Sequence, residues 1–203
     1  MSRYRGPRLR IVRRLGKLPG LTNKIAKKVN PPGQHGSVYG KKFSQYNIRL
    51  REKQKLRFHY GISERQLLNY VKQSRKKKGS SGRLLLNFLE MRLDNIIFRL
   101  GFSSSLSAAR QLISHGHISL DGQIVNIPSF PCRPLNIIKI KDSTVSQSLV
   151  RKNLSILQDV IVPDHLSLNK DKLEGKVLSL VNRNSISLLI NELLVIEYYS
   201  RKL

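Results

Sequence analysis

Seventeen of the first sixty residues are Lys or Arg and a single one, Glu52, is acidic, so this end carries +16 of the chain's formal +26. Residues 61–83 add seven bases against one acid, Glu64, whereas the other 120 residues hold 14 bases and 10 acids. A field this one-sided calls for a polyanion, because each neutralised phosphate releases a condensed counterion and adds salt-sensitive free energy. The alternative, a solvated tail that only aids solubility, would still bind nucleic acid non-specifically.

At 203 residues the chain has room for one domain or two, and 39% hydrophobic residues provide for a modest core. One cysteine, Cys132, excludes an intramolecular disulfide and a Cys-based zinc site, and fits a reducing compartment. The longest apolar cluster, residues 187–199, is interrupted by Asn191, Glu192 and Glu197, so no segment is suited to span a bilayer. The Arg-rich, acid-free start also reads as an organelle transit peptide.

Residues 1–45 contain Pro7, Pro19, Pro31, Pro32 and repeated glycines without lasting apolar periodicity, which predicts an extended arm ordered by a partner. Ser44 is placed to cap a helix from Gln45 to Tyr60, which Gly61 breaks. Ser63 can cap a second helix with Leu67, Leu68 and Val71 on one face. The bases Arg75, Lys76, Lys77 and Lys78 suit that helix's C-terminal dipole and read as phosphate contacts. One long helix is expected from Ser81, with Leu85, Leu89, Leu93, Ile96, Ile97 and Leu100 on its apolar face and Gly101 at its stop. A helix from Leu106 to Ser114 follows, burying Ala109, Leu112 and Ile113. Asp121-Gly122, between Ile118/Leu120 and Ile124/Val125, then predicts a hairpin. Ile137–Lys141 reads as a further strand, and Ser143–Lys170 has no assignable pattern. The apolar end, Ile186 to Tyr199, is too short to stand alone and is expected to dock on an earlier element.

Catalytic patterns are weak. Gly36–Lys42 (GSVYGKK) is one residue short of a phosphate-binding loop and has Lys42 where a magnesium-binding hydroxyl belongs. His115 and His117 have no carboxylate or cysteine at ligand spacing, so they read as hydrogen-bonding or phosphate-facing imidazoles. Nothing resembles a nucleophile elbow. Nucleic-acid chemistry is better supported: Arg92 and Arg99 fall on nearly one stripe of the long helix, Arg110 emerges from the next, and the two histidines mark the turn into the hairpin. A rigid face of this kind suits a folded RNA junction read by shape and backbone. Spacing alone equally allows Arg92 and Arg99 to be exposed bases paired with Asp94 or Glu90.

The run from Met91 to Phe102 (MRLDNIIFRLGF) and that from Ala109 to His117 (ARQLISHGH) resemble the RNA-binding module of the small-subunit ribosomal protein four family. Further matches are Ser2–Arg8, the turn Pro32-Gly33-Gln34-His35-Gly36, Leu50–Arg57 and Ile190–Arg201, so the resemblance runs in order along nearly the whole chain, weakest over residues 143–185. It implies an α+β fold: a basic arm (1–44), a helical domain (45–90) completed by residues 171–203, an inserted helix-helix-hairpin module (91–152) and an irregular connection (153–170). The implied function is not enzymatic: binding small-subunit rRNA at a 5′-domain helix junction, early assembly, a contribution to accuracy through the fifth small-subunit protein, and lining the mRNA entry path, with no membrane partner. Carried over by motif, the RNA contacts are Arg3, Tyr4, Arg5, Arg8, Arg10, Arg13 and Arg14 in the arm, then Gln34, His35, Arg49, Lys53, Lys55, Arg92, Arg99, Arg110, His115 and His117.

Many bacterial relatives hold zinc in the arm through cysteines that this arm lacks. The expectation is therefore no metal or other cofactor, with residues 8–31 shaped by RNA contact. The opening Ser2–Arg8 resembles the family's mature N-terminus, which argues against a transit peptide. Leu18–Thr22 and the Glu-Tyr-Tyr-Ser-Arg end resemble cyanobacterial and plastid members, pointing to the chloroplast stroma, or alternatively a cyanobacterial cytoplasm. The module also occurs in pseudouridine synthases, tyrosyl-tRNA synthetases and ribosome-associated factors. The Arg92-Leu93-Asp94 triplet resembles a synthase's catalytic segment, but the run of strands for such a catalytic domain is missing, so Asp94 reads as a partner for nearby bases.

Overall fold

The computed structural model describes residues 4–28, 30–34, 36, 44–157, 161–186 and 188–200. Among these the fold is α+β, with eight α-helices and a five-stranded antiparallel sheet. The chain divides into two compact units, residues 1–85 with 188–203, and residues 86–187.

In the first unit, α1 (Arg8–Leu15) starts after Pro7, whose φ of −66° suits a helix start. Ile11 and Leu15, one turn apart, are buried together with Leu18. Arginines tie the rest of the arm to main-chain carbonyls: Arg8 Nη1 donates to Leu21 O at 3.3 Å, Arg13 Nε to Asn30 O at 2.9 Å, and Arg51 Nη2 to Arg14 O at 2.9 Å. This corrects the expectation of an arm shaped only by RNA. The anchor is three buried residues, Ile11, Leu15 and Leu18, too brief to register as periodicity.

The next helices begin where their caps predict. Ser44 Oγ accepts from Asn47 N at the start of α2 (Gln45–His59), and Ser63 forms a reciprocal capping box with Gln66 at the start of α3 (Glu64–Lys76). The apolar end forms α8 (Glu192–Ser200), which packs on α2 and α3. Its Glu197 pairs with Arg49 at 2.6 Å, and Tyr199 Oη donates to Glu64 Oε1 at 2.6 Å. Lys53, 4% exposed, donates to both oxygens of the same Glu64 at 2.9 and 3.0 Å.

Burial alone would raise the Glu64 pKa, but the hydrogen bonds from Tyr199 and Lys53 and the charges of Lys53 and Arg57 outweigh it and hold it below its ordinary value. A depressed carboxylate contributes stability that is present above its unfolded pKa and is lost as pH falls through its folded one. Glu64→Gln is therefore expected to lower the urea midpoint at neutral pH and to flatten the loss of stability below about pH 4. An unchanged acid limb in a pH series of urea melts would contradict this.

Helix α4 (Ser81–Glu90) runs across the division between the units. The predicted single helix through Leu100 is instead two, because Arg92 is extended (φ −75°, ψ 141°) before α5 (Leu93–Arg99). No Gly or Pro marks the break. It is held by residues 128–132: Leu93 N donates to Phe130 O at 2.9 Å, Asp94 N to Pro128 O at 3.1 Å, and Cys132 N to Met91 O at 2.8 Å. Helix α6 (Leu106–Ser114) packs on α5 and ends at Gly116, φ 71°.

The sheet order is β2-β1-β3-β5-β4, from β1 (Ile118–Leu120), β2 (Gln123–Ile124), β3 (Ile137–Ile140), β4 (Leu166–Asn169) and β5 (Glu174–Val177). Asp121 and Gly122 turn the β1–β2 hairpin with φ of 49° and 84°, positive at both central positions as a tight hairpin turn requires. Ile118 pairs with Ile140 and Leu120 with Ile138, which sets one apolar face toward the core.

The segment without pattern contains α7 (Thr144–Ile156) and β4, and β5 follows. Residues 171–187, expected to complete the helical domain, thus lie in the second unit. Their signal is faint because β4 and β5 are four residues each and half polar. At Gly175 an added Cβ would clash with Leu100 Cδ1, and Leu100 is fully buried. Gly175→Ala is expected to cost about 1–3 kcal/mol through forced repacking, read from urea melts.

Candidate RNA interface

The arginine face predicted on α5 and α6 is turned inward. Asp94, 1% exposed, accepts from Arg92 Nε at 3.0 Å and Nη2 at 2.8 Å, and from Arg110 Nε at 2.7 Å. Glu90, also 1% exposed, takes Arg99 Nη2 at 2.9 Å and the Asn95 side-chain amide. Arg92, Arg99 and Arg110 are therefore corrected from an exposed stripe to buried or nearly buried partners of two carboxylates. A guanidinium taken out of water needs a hydrogen-bonded counter-charge, and Asp94 and Glu90 supply it. Arg92 and Arg99 do pair with Asp94 and Glu90, but as buried or nearly buried groups and not as the exposed bases that the pairing alternative expected.

Other predicted contacts are also engaged within the chain. Lys53 is committed to Glu64, Arg49 to Glu197, and Lys55 Nζ to Glu52 Oε1 at 2.5 Å. Arg13 is bound to carbonyls of the arm, and His117 Nδ1 shares a 2.9 Å hydrogen bond with Ser146 Oγ. The His115 ring is exposed, 6.0 Å from that of His117. Arg5, Arg8, Arg10, Arg14 and Gln34 are exposed, as is Tyr4, whose ring meets Phe58 edge-on at 5.4 Å. Arg3 and His35 lie outside the described residues.

The excess of positive charge is thus concentrated in the first unit. It holds 26 bases and four acids, against 12 bases and eight acids in the second. Sequence reasoning passed over Lys24, Lys27 and Lys28, which line an open cleft of about 800 Å³ beside α1. Their signal was three bases within five residues, around a solvent-facing Ile25. Among the described residues no three His, Cys, Asp or Glu side chains gather as metal ligands, and no helix is long and apolar enough to cross a membrane.

Residues 3–90 match the family of the ribosomal protein S4/S9 N-terminal domain, and residues 91–136 match the S4 domain. Over the full length of both chains, the protein is 65% identical to small ribosomal subunit protein uS4c of Euglena gracilis. It is 56% identical to uS4 of Nostoc punctiforme and to uS4c of Nephroselmis olivacea, again with both chains fully covered. Identity at this level over the full length, with both family models matched in order, makes the chain a member of the small ribosomal subunit protein uS4 family, a family of structural proteins rather than enzymes.

Proposed function

We propose that the chain is a structural constituent of the small ribosomal subunit that binds its rRNA directly, with the first unit providing most of the electrostatic attraction. The observation that carries this reading is the charge division: 26 bases against four acids in one unit that also buries its own core. A folded unit with that surface is attracted to phosphate in proportion to the counterions it displaces. The names of its full-length relatives supply the ribosomal context, and the presence of both uS4c and cyanobacterial uS4 among them favours a chloroplast or cyanobacterial ribosome.

The finer reading follows the family resemblance. The protein recognises a 5′-domain helix junction, acts early in assembly, and contributes to accuracy and the mRNA entry path beside the fifth small-subunit protein. Direct phosphate contact is assigned to Arg5, Arg8, Arg10 and Arg14, with His115 as an outward group of the module; Arg92, Arg99 and Arg110 hold the module's shape. Binding to the isolated 5′ domain of small-subunit rRNA, at high salt with excess unrelated RNA, tests the reading. Competitor-resistant binding is expected; binding that disappears with competitor would reduce the protein to a non-specific polycation.

A further inference from the structure

The cleft beside α1 brings solvent-facing apolar side chains and bases together. Its wall includes Leu9, 37% exposed, and Ile25, 82% exposed, while Arg10, Lys24, Lys27 and Lys28 stand around it. No carboxylate lines it. Arg13 closes one side by bonding to the carbonyls of Asn30 (2.9 Å) and Pro31 (3.5 Å), which ties the segment before Pro32 to the helix.

A phosphate backbone alone would need the cations and gain nothing from solvent-facing Leu9 and Ile25. An apolar partner alone would meet four uncompensated positive charges. A ligand that satisfies both halves has a flat apolar body joined to an anion, which is the chemistry of a nucleotide. Proteins that bind single-stranded or splayed RNA stack an unstacked base on aromatic rings or guanidinium planes while cations follow the backbone; in this cleft the apolar cover comes from Leu9 and Ile25, with the guanidiniums of Arg10 and Arg13 beside them. At about 800 Å³ the open cleft has ample space for one base and its sugar.

We propose that this cleft captures an unstacked nucleotide of the bound RNA, with the base against Leu9 and Ile25 and its phosphates among Arg10, Lys24, Lys27 and Lys28. This rests on the rRNA-binding reading above but adds a specific contact to it: one extruded base held in the arm.

The chain contains no tryptophan, so an introduced one reports its own site. In Ile25→Trp, the 5′ domain of small-subunit rRNA is expected to quench the indole emission by stacking. In the control Leu189→Trp, at a position 91% exposed near Glu52 and Glu192, emission should not change. Binding of both variants is followed in parallel by mobility shift. A shifted complex with Ile25→Trp emission unchanged would overturn the cleft proposal and leave rRNA binding intact. Failure of the unsubstituted chain to form a competitor-resistant complex would overturn the rRNA reading and this proposal with it. Ile25→Asp, at an exposed position where folding is not at stake, is expected to weaken binding to the same RNA by roughly tenfold, the scale of one lost base contact. Unchanged affinity in Ile25→Asp would also count against the cleft.

Discussion

Replacing Asp94 with alanine is expected to destabilise the second unit by about 3–5 kcal/mol, the scale for breaking a buried ion pair by removing one partner. One carboxylate here neutralises two guanidiniums, Arg92 at 2.8 Å and Arg110 at 2.7 Å, and all three residues are at most 6% exposed. Without it, two guanidiniums keep their charge in a low-dielectric interior after losing the carboxylate that both share. Asp94 also lies in the first turn of α5, where a negative charge favours the helix N-terminus, so the loss is compounded.

Cys132 provides a local readout of the same change. The residue is 4% exposed, and burial, aided by the charges of Asp121 and Asp94, pushes its thiol pKa up to about 12. The native protein should therefore resist alkylation at neutral pH, since the thiolate is the reactive form. Asp94→Ala should become labelled under the same conditions as the unit opens. A variant that keeps both its urea midpoint and its resistance to alkylation would show that the Asp94 cluster does not hold this unit together.

Neutralising four exposed bases of the first unit, Arg5, Arg10, Arg14 and Lys24, to glutamine should leave folding intact and cut RNA affinity steeply. If each reaches a phosphate, the slope of log affinity against log salt falls in magnitude by about 3. Between 50 and 200 mM salt the variant would then lose roughly 60-fold less affinity than the parent. The full protein, with about eight phosphate contacts, should show a slope of roughly −6 to −7. Filter binding across a salt series measures both numbers. An unchanged slope in the fourfold variant would move the phosphate surface away from the arm.

These two experiments separate roles that look alike in the sequence. Arg10 and Arg92 are both arginines on or beside helices, yet one is exposed and the other is 2% exposed. Substitutions at Arg92, Arg99 or Arg110 should act on RNA binding through the fold of the module and not through the salt slope.

Much of the secondary structure was legible because its signals are local. Ser44 and Ser63 cap helices through their own side chains, and Gly101, Gly116 and the Asp121-Gly122 turn take positive φ values set by steric freedom within a few bonds. The docking of the apolar C-terminal segment was also foreseeable, since a short segment rich in Leu, Val and Tyr must cover its surface with something. The concentration of positive charge in the first 83 residues required no structure at all.

The break at Arg92 was not legible, because the groups that cause it, the carbonyls of Pro128 and Phe130, are more than thirty residues away in sequence. The same holds for β4 and β5, four-residue strands whose identity depends on pairing with each other and with β3. The candidate site divided along the same line. Sequence by itself determined that this chain carries a strongly basic N-terminal half and a helix-helix-hairpin module, because residue identity and near-neighbour spacing suffice for both. Only the tertiary structure decided which arginines face solvent: whether a guanidinium meets phosphate or a buried carboxylate depends on what folds over it, and desolvation makes that choice nearly all-or-none.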